Sequence, residues 1–285
     1  MTPYHKLVSQ YVELLKHGRS LPLGAFEPAP TPQVPSGAPA ALFFAPHPDD
    51  ECISGGLALR LLRQARMRVV NVAVTLGSKK ERQADRLSEL QHACRYLGLE
   101  LVTAAPNGLE QISVRTRAQD PEHWKRCVAA IRGIMETFQP RIILFPHDRD
   151  WNSTHIGTHF LVMDALEQMP ASFNCYLVET EFWGAMNDPN LMVEMSADDL
   201  ADMMAATSFH VEEVKRNPYH LLLPAWMMDN VRRGGEVACG QGGAAPEFAF
   251  AILNRLSQWS GGHVKKLFDG GKQVPCAMNV SELFR

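Results

Sequence analysis

His47-Pro48-Asp49-Asp50-Glu51 packs an imidazole and three carboxylates into five residues, directly after the apolar run Ala41-Leu42-Phe43-Phe44-Ala45 and shortly before Gly55-Gly56. An apolar run of that length reads as a buried strand, and open α/β sheets keep their chemistry where strands end. A turn after a strand brings residues three apart back onto one side, so His47 and Asp50 converge while Asp49 points elsewhere. Taken alone, one histidine beside two aspartates reads as a turn or helix-capping cluster. An imidazole and a carboxylate that converge also suit a divalent ion such as zinc, which takes nitrogen and oxygen ligands in tetrahedral sites.

Such an ion needs a third protein ligand, and a second apolar run supplies the candidate. Ile142-Ile143-Leu144-Phe145-Pro146 is followed by His147-Asp148-Arg149-Asp150-Trp151-Asn152-Ser153-Thr154-His155. His47, Asp50 and His155 make two histidines and one carboxylate with a fourth position left open, the pattern of a catalytic metal site. His159 lies one helical turn beyond His155, so the two share a face. Of the other loop residues, Asp150 is expected nearest the site, and Glu51 is expected to orient a ligand or to sit at the positive end of the following helix.

The string His47 to Glu51, the following Gly55-Gly56 and a distant Asp-rich loop ending in a histidine that opens a helix resemble the LmbE-like (PIG-L) zinc-dependent N-deacetylases over roughly residues 41 to 180. The resemblance implies a Rossmann-like sheet and hydrolysis of an N-acetyl group on an N-acetylglucosamine-type sugar or its conjugate. It also implies His47, Asp50 and His155 as ligands of one zinc ion, or of another divalent transition metal, and Asp49 as general base. Many relatives read His-Pro-Asp-His in the second motif, where this chain reads Asn152-Ser153-Thr154-His155. The first of those histidines is thought to stabilise the tetrahedral intermediate or to protonate the leaving amine. Asn152 can donate a hydrogen bond there but cannot shuttle a proton, and His159 is the candidate substitute, with a packing role as the competing reading.

Arg86 stands three residues before Glu89, which reads as a helix surface pair, or, by the resemblance, as an arginine directed at substrate. His210 falls where relatives carry a substrate-side histidine, although its flanking residues match poorly. The run Lys79-Lys80-Glu81-Arg82 is placed to attract an anionic group on the substrate, or is solvated surface. Cys52 adjoins the site, where packing is favoured over a ligand or nucleophile role. His92, His123 and His220 lack any partner pattern and read as ordinary helix or turn histidines.

The chain has 285 residues, 46% of them hydrophobic, and a net charge of -3. That supports one α/β domain with a proper core and argues against a disordered protein or a nucleic-acid binder. Six cysteines without Cys-x-x-Cys spacing read as reduced. No apolar run of eighteen residues and no signal-peptide segment appears, so a cytoplasmic protein without membrane insertion is expected. Its expected partner is a small amino-sugar substrate, and relatives suggest a homo-oligomer.

Residues 3 to 17 form an expected amphipathic helix, with Leu7, Tyr11, Leu14 and Leu15 on one side. Between Leu21 and Ala40, six prolines exclude regular helix or central strand. Residues 1–40 are therefore an N-terminal helix and linker, and 41–180 a catalytic core. In that core strands near 41–45, 68–75, 100–105, 141–146 and 174–180 alternate with helices over 55–66, 82–97, 121–138 and 155–168. This βαβ rhythm predicts a mostly parallel sheet with helices on both faces, whose loops after 45, 75 and 146 meet at one edge. Residues 181–285 are expected to elaborate the substrate side, with helices from Ser196 to about Ala206 and from His210 to Lys215, and a mobile loop in the glycine-rich stretch 234–243. Two alternatives remain beside sugar deacetylation: an amidase acting on a larger acyl or thiol conjugate, and a homologue that binds metal or ligand without catalysis. A nucleotide-binding protein is disfavoured, because the first strand lacks the Gly-x-Gly-x-x-Gly turn.

Overall fold

The computed structural model describes residues 2–242 and 244–285. Strands β1 (Ala40–Ala45), β2 (Arg68–Ala73), β3 (Glu100–Thr103), β4 (Ile142–Pro146) and β5 (Cys175–Thr180) pair in parallel in the order β3-β2-β1-β4-β5. The crossover direction reverses between β1 and β4, which opens a crevice at the carboxyl ends of those two strands. Both strands are buried along their whole length. Period-2 alternation divides them between two cores: Ala41, Phe43, Ile142 and Leu144 face one layer, and Leu42, Phe44, Ile143 and Phe145 the other. The first layer holds helices α3 (Gly56–Arg63), α4 (Gln83–Leu97), α8 (Ala197–Thr207) and α10 (Tyr219–Val237); the second holds α6 (Pro121–Phe138) and α7 (Ser153–Glu167).

The last third of the chain extends the same sheet. Strand β7 (Ala251–Ser260) lies antiparallel against β5, and β6 (Leu191–Glu194), β8 (His263–Lys266) and β9 (Lys272–Val274) continue from it. A buried arginine fastens this addition to the first layer. Arg60 of α3 has no exposed surface and donates to the carbonyls of Glu194, Val274, Pro275 and Met278.

The expected core elements form within a few residues of their predicted bounds. Three expectations change. Helix α1 (Pro3–Gly18) forms, but Leu7, Tyr11, Leu14 and Leu15 all stay exposed, and Gly18 is its one buried residue. The glycine-rich stretch is not a loop throughout, since Gly234 and Gly235 belong to α10. A Cβ on Gly234 would lie 2.5 Å from Met192 Sδ and 2.8 Å from a methyl of Leu253, so close helix-to-sheet packing selects glycine there. Arg86 and Glu89 form no ion pair among the described residues, because the guanidinium turns towards the strand edge. No described helix is long and apolar enough to cross a membrane. All six cysteines are free.

Candidate metal centre and active site

The loop after β1 places Asp50 at the start of the short helix α2 (Asp50–Ile53), and α7 presents His155 from its first turn. Asp50 Oδ2 accepts the backbone N–H of His47 at 2.8 Å, which folds the carboxylate back over the imidazole. His47 Nδ1, Asp50 Oδ2 and His155 Nε2 then form a triangle with edges of 3.4, 3.2 and 3.3 Å. Ligands about 2.0–2.1 Å from a tetrahedral ion stand about 3.3–3.4 Å apart, so the triangle has the dimensions of three corners of such a site. Two nitrogen lone pairs and a carboxylate facing one point repel unless a cation lies between them, and this donor set therefore fits a divalent metal ion. Behind His155, the Asp150 carboxylate stands 3.5 Å from Nδ1, where its charge favours the tautomer that leaves Nε2 free for a metal.

A positive charge on His155 is set against burial on one side and two carboxylates on the other. Burial opposes that charge, but Asp50 and Asp150 outweigh it and raise the imidazole to about 10. Burial likewise works against the Asp50 carboxylate, yet His155 and His47 hold it well below the ordinary range.

Asp49 points the other way. It caps α2 with φ of 116°, a left-handed conformation that costs a non-glycine residue strain. Its N–H donates to Glu51 Oε2 at 2.9 Å, and Glu51 Oε1 is gripped by His210 Nε2 at 2.7 Å. Gly55 lets this turn close, because a Cβ there would sit 2.0 Å from the Glu51 carbonyl oxygen. Asp49 is 8% exposed and faces a cavity of about 900 Å³. Burial, with the Asp50 charge beside it, pushes its carboxyl well above the ordinary carboxylate range.

The cavity brings together His47, Asp49, Asp50, Arg86 and Asn152. Asn152 caps α7, its Oδ1 accepting the N–H of Thr154 at 2.8 Å. Two expected site residues stand elsewhere. His210 is 0% exposed and lies behind Glu51, so it meets the cavity only through Glu51 and Asp49. His159 turns its ring to the Pro146 carbonyl, 3.1 Å away, and to Glu179, and it is not part of the cavity wall. Glu51, Cys52 and His210 also cluster, but Glu51 Oε1 is only 2.7 Å from His210 Nε2 and 3.1 Å from Cys52 Sγ, hydrogen-bond spacings that leave no room for an ion. Burial, reinforced by Glu51, pushes the Cys52 thiol up and keeps it inert.

Residues outside the two motifs complete the wall. Trp183 and Tyr219, with ring centroids 5.3 Å apart and edge to face, both line it, as do Glu213 and Arg216 from α9 (Val211–Arg216). The sequence signals these residues only as two widely separated aromatics and a charged segment, with nothing to place them near Asp49.

A mostly parallel α/β sheet with a His-Asp-His triad at its switch point defines a doubly wound domain with a candidate metal site. More narrowly, residues 42–166 match the family model PIG-L, described as GlcNAc-PI de-N-acetylase. No curated protein matches the chain by sequence. Among solved structures, N,N'-diacetylchitobiose deacetylase from Pyrococcus horikoshii is 18% identical with a TM-score of 0.54, covering 82% of this chain and 89% of its own. A deacetylase of teicoplanin biosynthesis is 14% identical with a TM-score of 0.54, covering 77% and 98%. The 4-carboxy-2-hydroxymuconate hydratase from Pseudomonas putida is 14% identical with a TM-score of 0.55, covering 76% and 95%. These identities speak for the fold alone, which serves a hydratase as well as deacetylases.

Proposed function

We propose that the protein is a zinc-dependent hydrolase that removes the N-acetyl group from an N-acetylglucosamine-type sugar or its conjugate. The observation that carries this reading is the three-ligand triangle with a strained, buried carboxylate beside it, both opening on one cavity at the switch point. His47, Asp50 and His155 would hold the ion, which would supply the Lewis acidity that an amide carbonyl and a water nucleophile need near neutral pH.

The chain's own groups do the rest. Asp49 accepts the proton of the attacking water, a task suited to a carboxylate whose burial has raised its proton affinity. Asn152 stands in the cavity wall with its amide N–H groups available to a developing oxyanion. Because neither Asn152 nor the distant His159 can deliver a proton there, Asp49 returns the proton to the departing amine. Trp183 and Tyr219 offer the apolar faces on which a sugar ring packs.

The test is acetate release from methyl N-acetylglucosaminide and N,N'-diacetylchitobiose, with metal content measured on the same samples. Acetate that disappears with a chelator and returns with zinc supports the reading. One tightly held metal per chain and no acetate from either sugar points to another acyl group, and a protein that takes up no metal overturns it.

A further inference from the structure

Helix α1 is pinned to the domain at one end and open along the rest of its length. Gly18 is its one buried residue, and a Cβ there would lie 2.8 Å from a methyl of Leu221 in the first turn of α10. Ahead of that anchor, Tyr4, Leu7, Tyr11 and Leu14 repeat at the alternating three- and four-residue spacing of a coiled-coil seam. Val8, Val12 and Leu15 widen the seam, so that at about 100° per residue the apolar face spans about 160°. The charged residues Lys6, Glu13 and Lys16 all fall outside it. Every side chain of this face is between 43% and 75% exposed, and together they are nearly half of the large apolar side chains that the described residues leave open.

A lone helix of this length is marginal in water, and helices in proteins draw most of their stability from covering such a face. Among the described residues nothing in the chain covers this one. Its side chains leave on the order of 800 Å² open, and a standard interface takes about 800 Å² from each partner. A lipid surface suits the face less well. Helices that lie on anionic membranes carry a lysine- and arginine-rich polar side with Trp or Phe opposite, whereas here two lysines share that side with a glutamate, Lys16 is tied to Glu13 at 2.8 Å, and the face holds neither Trp nor Phe. A second α1 suits it better, because the seam is self-complementary. In an antiparallel pair with a two-fold axis at Tyr11, Leu7 of one copy lies over Leu15 of the other and Val8 over Leu14. Tyr4 then reaches the Gly18 end, where the helix has no side chain to compete for the space and the exposed Leu21 extends the apolar surface.

We propose that α1 is a pairing arm: two copies of this chain associate through their α1 faces, antiparallel, about a two-fold axis at Tyr11. Such a contact is isologous, so it closes at two copies and builds no filament. It uses no residue of the cavity and holds whatever reaction the protein carries out.

Sedimentation velocity of the full chain over a concentration series distinguishes one copy from two. Tyr11→Glu and Tyr11→Lys each set a like charge against itself at the axis and should raise the dissociation constant of the pair about 100-fold or more, while an equimolar mixture of the two variants should pair again. Tyr11 is open in the single chain, so neither variant touches the core, and unchanged near-ultraviolet circular dichroism in the tryptophan bands of the buried Trp124 and Trp259 checks that. Leu7→Gln with Leu14→Gln, which adds no charge, should weaken pairing about tenfold or more. A wild-type chain that stays single at every concentration overturns the proposal, and its binding to vesicles of phosphatidylcholine and phosphatidylserine would make a lipid surface the occupant instead. An assembly that Tyr11→Glu leaves intact overturns it too, because another surface then holds the copies together. Two single variants that dissociate and do not pair when mixed overturn the antiparallel arrangement about Tyr11.

Discussion

Asp49→Asn separates the work of this residue from its cost to the fold. The substitution keeps volume and shape, and asparagine is among the residues that best tolerate a left-handed backbone, so the turn at φ 116° survives. The Asp49 N–H to Glu51 Oε2 bond is a backbone bond and also survives. No oxygen of Asp49 belongs to the triangle of His47, Asp50 and His155, so metal content should stay at the wild-type level. What disappears is a proton acceptor worth about 10²–10⁴ in rate, roughly 3–5 kcal/mol of transition-state stabilisation.

The stability of the same variant moves the other way. A carboxyl whose affinity for protons is raised by folding is neutral in both states at low pH. As pH rises above its ordinary value the unfolded chain ionises first, and the folded protein loses stability. At pH 7 in metal-free protein, Asp49 therefore opposes folding, and Asn removes that cost. Gains from relieving such active-site costs are about 0.5–2 kcal/mol, or several degrees in Tm for a chain of this size. Acetate release and metal content of the loaded protein, with thermal unfolding by circular dichroism of the same protein after chelation, should thus show a variant that is inactive, metal-competent and, without metal, more stable. Turnover within tenfold of wild type would refute the assignment of the base. Loss of metal would refute the division of labour between Asp49 and Asp50, and a lower Tm in the metal-free protein would refute the claim that burial of Asp49 costs stability.

Asp150→Ala, which removes the partner of His155 Nδ1 while leaving all three ligands, should weaken metal binding by about 10- to 100-fold in a competition titration with a chelating dye. His155→Ala should abolish stoichiometric metal altogether. Arg60→Ala leaves four carbonyls without their buried donor and should cost about 3–5 kcal/mol, read as a fall of roughly 6–15 °C in Tm. His210→Phe fills the same buried space but releases Glu51 and with it the strained Asp49 turn. Its kcat should fall with KM little changed and metal retained, and an unaltered kcat would show that Asp49 holds its conformation without help.

The convergence of His47, Asp50 and His155 was readable in the sequence because each lies in the loop or the first helical turn that follows an apolar strand, and parallel β-strands bring their carboxyl ends to one edge however far apart they lie in the chain. His210 could be found as a candidate but not placed. A histidine beside two glutamates, Glu212 and Glu213, gives no sign that a third, Glu51, 159 residues earlier, will bury it. His159 shares a helical face with His155, yet one turn of α7 carries it past the end of β4 to Pro146 and Glu179, a displacement set by helix rise and not by residue type. Glu213, Arg216, Trp183 and Tyr219 lie where the family resemblance fades, and only the tertiary fold brings them to the cavity. The antiparallel strand β7 escaped notice for a related reason: its partner β5 precedes it by about seventy residues, and pairing at that distance leaves no local pattern.

That pairing also sets a schedule for synthesis. Strand β5, Cys175-Tyr176-Leu177-Val178-Glu179-Thr180, joins the parallel sheet on its β4 side as soon as it emerges, but its other edge belongs to residues 254–259. At about 5–20 residues per second, the ribosome leaves that edge open for roughly 4–14 s. For that interval the nascent chain presents a row of unpaired N–H and C=O groups flanked by apolar side chains, a template for any other strand it meets. Chains that stop short of β7 keep the open edge permanently, and they are expected to accumulate as aggregates and not as a smaller folded enzyme.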